Sequence, residues 1–173
     1  MSDAESAAFG WTHSGRARPS FARAPGPGQE SVWDYPRPPR LVPDSREVIV
    51  RAGARLVAST TRAIRVLETA SPPTFYVPVA DVAPGVLIRA PGTSYCEWKG
   101  RAHYWSVATP DGVLDRVAWS YPDPTPAFAA IRDAVAFYAD RLECTVDGER
   151  VRPQSGGFYG GWITDDIVGP FKG

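Results

Sequence analysis

The sequence predicts an α+β fold that is mainly β: an antiparallel meander forming a small open barrel or a two-layer sheet, with one packed helix. Eighteen prolines and sixteen glycines, in a chain with few long apolar runs, indicate many turns and short strands. Short apolar segments alternate with turn dipeptides over most of the chain. Only one stretch, about residues 126–142, has apolar residues at helical spacing.

The predicted strands begin near residue 47. Two apolar runs, at 48–50 and 56–58, flank Ala52-Gly53, and glycine supplies the positive φ that a tight hairpin turn requires. Further strands are predicted at 63–68, 75–79, 86–88, 103–107 and 113–121, and Pro110-Asp111-Gly112 predicts a hairpin turn between the last two. A last hairpin joins 144–146 to 150–151 through Asp147-Gly148.

The predicted helix runs from about Pro126 to Leu142. Thr125 is suited to cap its first turn, and proline fits the first helical position because its missing N–H has no helical partner there. The apolar residues recur at three- and four-residue spacing, which predicts a helix packed on a sheet face. They are Phe128, Ile131, Val135, Tyr138 and Leu142.

Composition divides the chain into three parts. Residues 1–46 form a Pro/Gly/Arg-rich extended arm, 47–153 a β-rich core domain and 154–173 a Gly/aromatic tail. The arm carries Trp11, Phe21, Trp33 and Tyr35, whose exposure to water is costly, so we expect them to dock on the domain or on a second subunit. The tail either folds over an open pocket or projects into solvent.

Charge and motif content exclude several functions. Lys plus Arg equals Asp plus Glu at 19 each, so no net positive field favours nucleic acid or an anionic membrane as a partner. No Walker loop or Rossmann glycine fingerprint occurs, so no cofactor is expected. With two histidines and two isolated cysteines, Cys96 and Cys144, no metal site is predicted. The absence of a signal-peptide core and of an apolar membrane span predicts a cytoplasmic protein with reduced thiols.

Reactive and recognising side chains are concentrated between Thr93 and Trp105. Lys99, Cys96 and Tyr104 are the candidate catalytic residues. The glycine after Lys99 lets a ligand approach the backbone while the ammonium meets an anionic group. Cys96 is a reactive thiolate if Lys99 lies close enough to lower its pKa; alternatively, it is a small buried apolar residue.

Strand alternation leaves two pockets open in this stretch. A regular strand places His103 and Trp105 on one face and Tyr104 on the other. Lys99 joins the first face only if the following glycine does not kink the chain. The pocket is therefore built either from Lys99, His103 and Trp105 or from Cys96 and Tyr104.

The candidate ligand-binding residues extend beyond this stretch. Trp119 and Tyr121 alternate onto one strand face, where they either sandwich a planar ligand or pack across strands. Glu68 ends a predicted strand and Asp81 follows one; each is a candidate to orient Lys99 or to hold a magnesium ion, or else is a turn or surface carboxylate. The full set is Glu68, Tyr76, Asp81, His103, Trp105, Trp119 and Tyr121.

Four motifs resemble one known family. They are Tyr76-Val77-Pro78 with Asp81; Thr93-x-x-Cys96-x-x-Lys99-Gly100-x-Ala102-x-Tyr104; Trp119-x-Tyr121-x-x-Pro124; and Ala136-Phe137-Tyr138. Over about residues 47–151 the chain is similar to the bacterial and fungal domain-of-unknown-function family numbered four hundred and twenty-seven. The resemblance implies a compact, mainly β domain with one helix, in some cases dimeric. It also brings a provisional nucleotidyltransferase label, which the residues do not support, because metal-assisted nucleotidyl transfer needs clustered carboxylates. Glu97 stands where many members have proline.

Two functions from different classes follow. The first is a pocket for a small anionic or planar molecule, built on Thr93–Trp105, with enzymatic activity left open. The alternative is a homodimeric protein-interaction module without catalysis, self-associating through the N-terminal arm.

Overall fold

The computed structural model describes residues 13–173, so Trp11 lies outside the described residues. The strands are β1 Glu30–Ser31, β2 Arg40–Asp44, β3 Val48–Ala52, β4 Arg55–Thr60, β5 Ala63–Leu67, β6 Thr74–Pro78, β7 Leu87–Cys96, β8 Gly100–Thr109, β9 Gly112–Ser120, β10 Ala134–Phe137, β11 Glu143–Val146, β12 Glu149–Arg150, β13 Arg152–Pro153, β14 Trp162–Ile163 and β15 Ile167–Val168. Three 3-10 helices lie at Val32–Asp34, Val79–Asp81 and Pro126–Ile131. No helix of the described part of the chain has the length and apolarity to cross a membrane.

Two antiparallel sheets dominate the fold. The larger has seven strands in the order β2-β5-β6-β10-β9-β8-β7, and the smaller has four in the order β12-β11-β3-β4. Two short pairs, the parallel β1-β15 and the antiparallel β13-β14, complete the strands. This mainly β, antiparallel architecture confirms the predicted fold class, and the described strands close no barrel.

The main core lies where the two sheets face each other. The four-stranded sheet contributes Val48, Val50 and Val57, and the seven-stranded sheet contributes Phe75 and Val77, all with at most 1% exposure. Trp162 of β14 enters the same core: its indole stacks on Phe75 at 4.9 Å and donates a hydrogen bond to the Phe137 carbonyl (2.9 Å).

The opposite face of the seven-stranded sheet is also apolar, because successive residues of a strand point to opposite sides. Tyr76 lies between Phe75 and Val77 in sequence, yet it belongs to a second cluster with Trp119 and Ala136. Phe128 and Ile131 of the 3-10 helix cover part of this second face.

The predicted helix at 126–142 was wrong. A 3-10 helix covers Pro126–Ile131, and residues Ala134–Phe137 form strand β10. Thr125 makes no cap; its hydroxyl donates to the Trp98 carbonyl instead (2.6 Å). Of the apolar residues at helical spacing, all except the partly buried Tyr138 are buried. Val135 packs in the core between the sheets and Phe128 on the opposite face, so these residues share no helical stripe.

The arm and the tail meet at one end of the molecule. Val32, Trp33 and Tyr35 are buried in a third cluster that includes Ile167 of β15. Phe21 is 40% exposed but contacts Trp33 edge to face, with ring centroids 4.9 Å apart. Whether the three predicted parts of the chain behave as separate units stays a prediction.

Truncating Trp162 tests whether the tail belongs to the core. We expect Trp162→Ala to lower the free energy of unfolding by about 3 to 5 kcal/mol, because it removes a fully buried ring and its hydrogen bond. Phe158→Ala, in the same tail but 59% exposed, should change it by less than about 0.5 kcal/mol. Urea titrations of both variants provide the comparison, and equal effects would contradict this account of the tail.

A buried ion-pair network joins β2 to β5. Asp44, 8% exposed, lies 2.7 Å from the Arg46 guanidinium and 3.2 Å from that of Arg65, which is 9% exposed. Burial raises the pKa of Asp44, but the side-chain and backbone hydrogen bonds from Arg46 outweigh it and hold the pKa below its ordinary value.

The Asp44 network predicts acid sensitivity. Since the folded-state pKa lies below the unfolded value of about 3.9, the stabilisation is complete above that pH and is lost as the pH falls through the folded pKa. We expect Asp44→Asn to cost about 3 kcal/mol near pH 7 and progressively less below about pH 4. Denaturant titrations from neutral to acid pH measure this, with the exposed Asp111→Asn as control. A cost independent of pH would contradict the assignment.

Candidate functional site

A cavity of about 760 Å³ opens on the second face of the seven-stranded sheet. Strands β6, β8 and β9 form its floor, and the chain before β8 and the segment after residue 153 form its sides. Nine aromatic side chains line it: Tyr76, Tyr95, Trp98, Tyr104, Trp119, Tyr121, Tyr138, Phe158 and Tyr159. The volume lies within the range of small-molecule sites.

Three of these rings form a continuous row, which we call the aromatic row: Tyr121, Tyr76 and Trp119. The centroids of Tyr121 and Tyr76 are 6.4 Å apart, and those of Tyr76 and Trp119 are 6.5 Å apart. The Trp119 indole donates a hydrogen bond to the Tyr76 hydroxyl (3.3 Å). The next ring, Tyr138, lies 4.5 Å from Trp119.

Lys99 reaches the cavity because the chain bends at Gly100. This glycine has φ +103°, a conformation that other residues rarely adopt, and a Cβ there would lie 3.3 Å from the Asp123 carbonyl oxygen. The Lys99 carbonyl accepts a hydrogen bond from the Thr125 amide (3.2 Å). The ammonium lies 5.6 Å from the Tyr121 ring centroid, and no carboxylate of residues 13–173 pairs with it.

The two cavity carboxylates are paired with Arg37. Its guanidinium lies 3.4 Å from Glu97 and 4.0 Å from Glu68, and it covers the Trp98 ring at 5.8 Å. The predicted role of Glu68 in orienting Lys99 would require contact between these two residues. Glu68 contacts Arg37 instead. The charge of Lys99 remains available to an incoming anion.

Three tyrosines of the cavity, Tyr76, Tyr121 and Tyr138, are neutral hydroxyl groups. Burial raises the pKa of Tyr76 and of Tyr121 well above the ordinary value, and burial with the neighbouring Tyr104 raises that of Tyr138 to about 12. The Tyr138 hydroxyl donates to the Phe158 carbonyl (3.0 Å). The Tyr121 hydroxyl has no hydrogen-bond partner in the described part of the chain, although the residue is only 7% exposed.

Cys96 and Tyr104 line the same cavity as Lys99. Cys96 is a free thiol of intermediate exposure. The Tyr104 hydroxyl shares a hydrogen bond with Ser94 (2.8 Å), and the Arg116 guanidinium covers its ring at 4.3 Å. The second cysteine, Cys144, is buried in the main core, where burial raises its pKa to about 12, so it carries no reactive thiolate.

Three predicted site residues lie elsewhere. His103 and Trp105 point to the other face of β8. The Trp105 indole donates a hydrogen bond to Ser120 Oγ (2.9 Å). Burial lowers the pKa of His103, and the positive charges of Arg89 and Arg101 lower it further. The predicted grouping of Lys99 with His103 and Trp105 does not occur. Cys96 and Tyr104 do line one cavity, and the bend at Gly100 places Lys99 with them.

Asp81 is the third residue away from the cavity. Its carboxylate accepts hydrogen bonds from Arg62 (2.9 Å) and Thr60 (2.6 Å). Both bonds lower the pKa of Asp81, and the bond from Arg62 has the larger effect. It is the last residue of the 3-10 helix Val79–Asp81 after β6, and it supports a loop rather than the candidate site.

A family model described as a domain of unknown function, DUF427, matches residues 40–148. The chain belongs to the DUF427 family. This membership confirms the resemblance found in the motifs, and the family description supplies no activity. No curated protein matches the chain.

Several cavity residues are absent from the predicted site. Tyr138 belongs to the Ala136-Phe137-Tyr138 motif but falls within the predicted helix, whereas Phe158 and Tyr159 lie outside the family motifs, in a tail of undecided position. Lys172 was overlooked altogether; its ammonium lies 4.9 Å from the Tyr159 ring centroid. A usable signal existed, since Lys99 and Lys172 are the only lysines among 19 Lys and Arg residues.

Among the described residues, the side-chain carboxylates of the cavity pair with Arg37, and His103 lies on the other face of β8. No unpaired side-chain carboxylate or imidazole of residues 13–173 therefore lines the cavity beside Cys96 and Lys99. Within residues 13–173 no cluster of three His, Cys, Asp or Glu side chains could hold a metal ion.

The cavity wall at Trp119 depends on Gly160. A Cβ at Gly160 would lie 2.1 Å from the far edge of the indole. We expect Gly160→Ala to destabilise the protein by about 1 to 3 kcal/mol, because the ring must move. In a double-mutant cycle with Trp119→Phe, whose smaller ring leaves room for the methyl group, this cost should fall by more than half. Urea titrations of the four proteins measure the coupling, and additive effects would refute the contact.

Proposed function

We propose that this DUF427 protein binds a small anionic molecule with an aromatic or planar body. The observation that carries the proposal is the position of Lys99: its ammonium faces a cavity walled by rings and has no carboxylate partner among the described residues. An unpaired cation in a partly desolvated, aromatic site favours an anion, because the attraction is stronger there than in open water.

The distribution of charge disfavours a cationic ligand. Arg37 neutralises Glu68 and Glu97, and Lys99 already occupies the neighbourhood of the Tyr121 ring that an organic cation would use. The unpartnered Tyr121 hydroxyl adds a hydrogen-bonding group at the cavity surface. Together these groups fit a ligand with an anionic group, a polar atom beside it and an apolar ring system.

The size of the cavity and the balanced charge of the chain favour a small molecule over a nucleic acid or a membrane surface. Both cysteines are free, which fits a reducing, cytoplasmic location as part of this proposal.

A thermal-shift panel of aromatic carboxylates, nucleotides and sugar phosphates tests the proposal. At a concentration of a hundred times its Kd, a true ligand should raise the unfolding temperature by about 5 °C. Lys99→Ala should lose this shift while its own unfolding temperature changes by less than about 2 °C, because the side chain is only half-buried. Arg132→Ala, which removes an exposed cation remote from the cavity, should keep the shift.

A ligand that shifts Lys99→Ala as much as the unmodified protein would place binding elsewhere. No shift in either protein, with both melting cooperatively, would favour the alternative function: a homodimeric interaction module. The rim supports that alternative, since Tyr95, Phe158 and Tyr159 are 72%, 59% and 50% exposed. Sedimentation velocity with and without residues 1–29 then decides whether the arm mediates self-association.

A further inference from the structure

The only two lysines of the sequence line the same aromatic cavity. Each ammonium lies near a tyrosine ring, Lys99 at 5.6 Å from the Tyr121 centroid and Lys172 at 4.9 Å from that of Tyr159. Neither forms an ion pair within residues 13–173. We propose that the ligand is an aromatic dianion whose two anionic groups lie at opposite ends, one at Lys99 and the other at Lys172. This assignment rests on the proposed function and specifies its ligand class.

The two lysines belong to opposite ends of the aromatic row. Lys99 covers Tyr121, which is the first ring. Lys172 covers Tyr159, which directly precedes Gly160, and Gly160 is in contact with the edge of Trp119, the last ring. A ligand lying along the row therefore meets one cation at each end.

Both lysines are held on fixed backbone. The Lys172 amide donates to the Ala70 carbonyl (2.7 Å), and its own carbonyl accepts from the Gln154 side chain (2.5 Å). The Lys99 carbonyl accepts from the Thr125 amide, after the bend at Gly100. Because separate segments hold the two backbones, a ligand with a rigid skeleton loses less conformational entropy in bridging the two lysines than a flexible chain does.

A single anionic group does not satisfy this arrangement. It would neutralise one ammonium and leave the other beside the apolar part of the ligand, where an unpaired charge is unfavourable. The side-chain carboxylates of the described cavity residues do not pair with either lysine, because Glu68 and Glu97 both pair with Arg37. A second anion on the ligand supplies the missing partner.

The rings between the lysines match an aromatic body. Aromatic pairs favour offset or edge-to-face contacts, and Tyr76 meets Trp119 edge to face, at 83°. Tyr121, 7% exposed, lines the cavity beside Lys99, and its hydroxyl has no partner in the described chain. In this proposal that hydroxyl donates a hydrogen bond to the anion at Lys99.

Matched ligands and matched variants test the two-anchor arrangement. Calorimetry compares a naphthalene dicarboxylate, with its acid groups at opposite ends of the ring system, with the corresponding monocarboxylate. A bisphosphonate of the same skeleton distinguishes phosphate-type from carboxylate-type anions. The proteins are the full chain, Lys99→Gln, Lys172→Gln and the remote control Arg132→Gln, each checked for cooperative unfolding.

We expect the unmodified protein to bind the dianion at least about tenfold more tightly than the monoanion, since each charge-assisted contact contributes this much. Lys172→Gln should abolish this preference, bringing the two affinities together, and Lys99→Gln should weaken the dianion by a similar factor. Arg132→Gln should change neither affinity.

The outcomes separate the two proposals. If the dianion and the monoanion bind equally, or if Lys172→Gln leaves the preference intact while Lys99→Gln abolishes binding, the two-anchor inference is overturned and the Lys99 site stands. If no probe binds the unmodified protein, the proposed function fails and the dianion with it.

Discussion

Strand β10 joins the two halves of the large sheet. Its four residues are all buried and pair with β6 on one side and β9 on the other. Without it, the β2-β5-β6 strands and the β9-β8-β7 strands would have no common hydrogen-bonding partner. Because β10 fixes the distance between β6 and β9, it also brings Tyr76 and Trp119 into contact on the cavity face.

Turn chemistry and strand alternation were enough to predict the antiparallel architecture. Ala52-Gly53, Asp111-Gly112 and Asp147-Gly148 all lie at the hairpins expected from the sequence. The segment that became β10 was mistaken for a helix because both its faces are apolar, so it shows no alternation. Apolar residues before and after this segment, such as Ile131 and Leu142, lie three or four residues from other apolar positions, and this spacing is typical of a helix. The segment is extended because it pairs with β6 on one side and β9 on the other, and these long-range contacts cannot be read from the local sequence.

Seven of the ten predicted site residues line one cavity, because the family motifs lie on adjacent strands. The three exceptions have separate physical causes. His103 and Trp105 lie on the opposite face of β8 from the cavity. Which face shares the cavity with Lys99 depends on the backbone conformation at Gly100, and the sequence alone does not determine that conformation. Asp81 pairs with Arg62, which lies 19 residues earlier in the turn between β4 and β5. Lys172 enters through a tail whose path depends on long-range packing of Trp162.

The scarcity of lysine has a consequence for how this protein can be handled and modified. Arginine supplies nearly all of the surface cations, so primary amines, other than an α-amino group, occur only in the cavity. Reagents that acylate amines, and enzymes that acetylate lysine, would therefore act on the candidate site before any other part of the chain. Amine-directed fluorophores or surface coupling would occupy the cavity that they were meant to report on, and cysteine coupling offers no escape, since Cys96 lies in the same cavity.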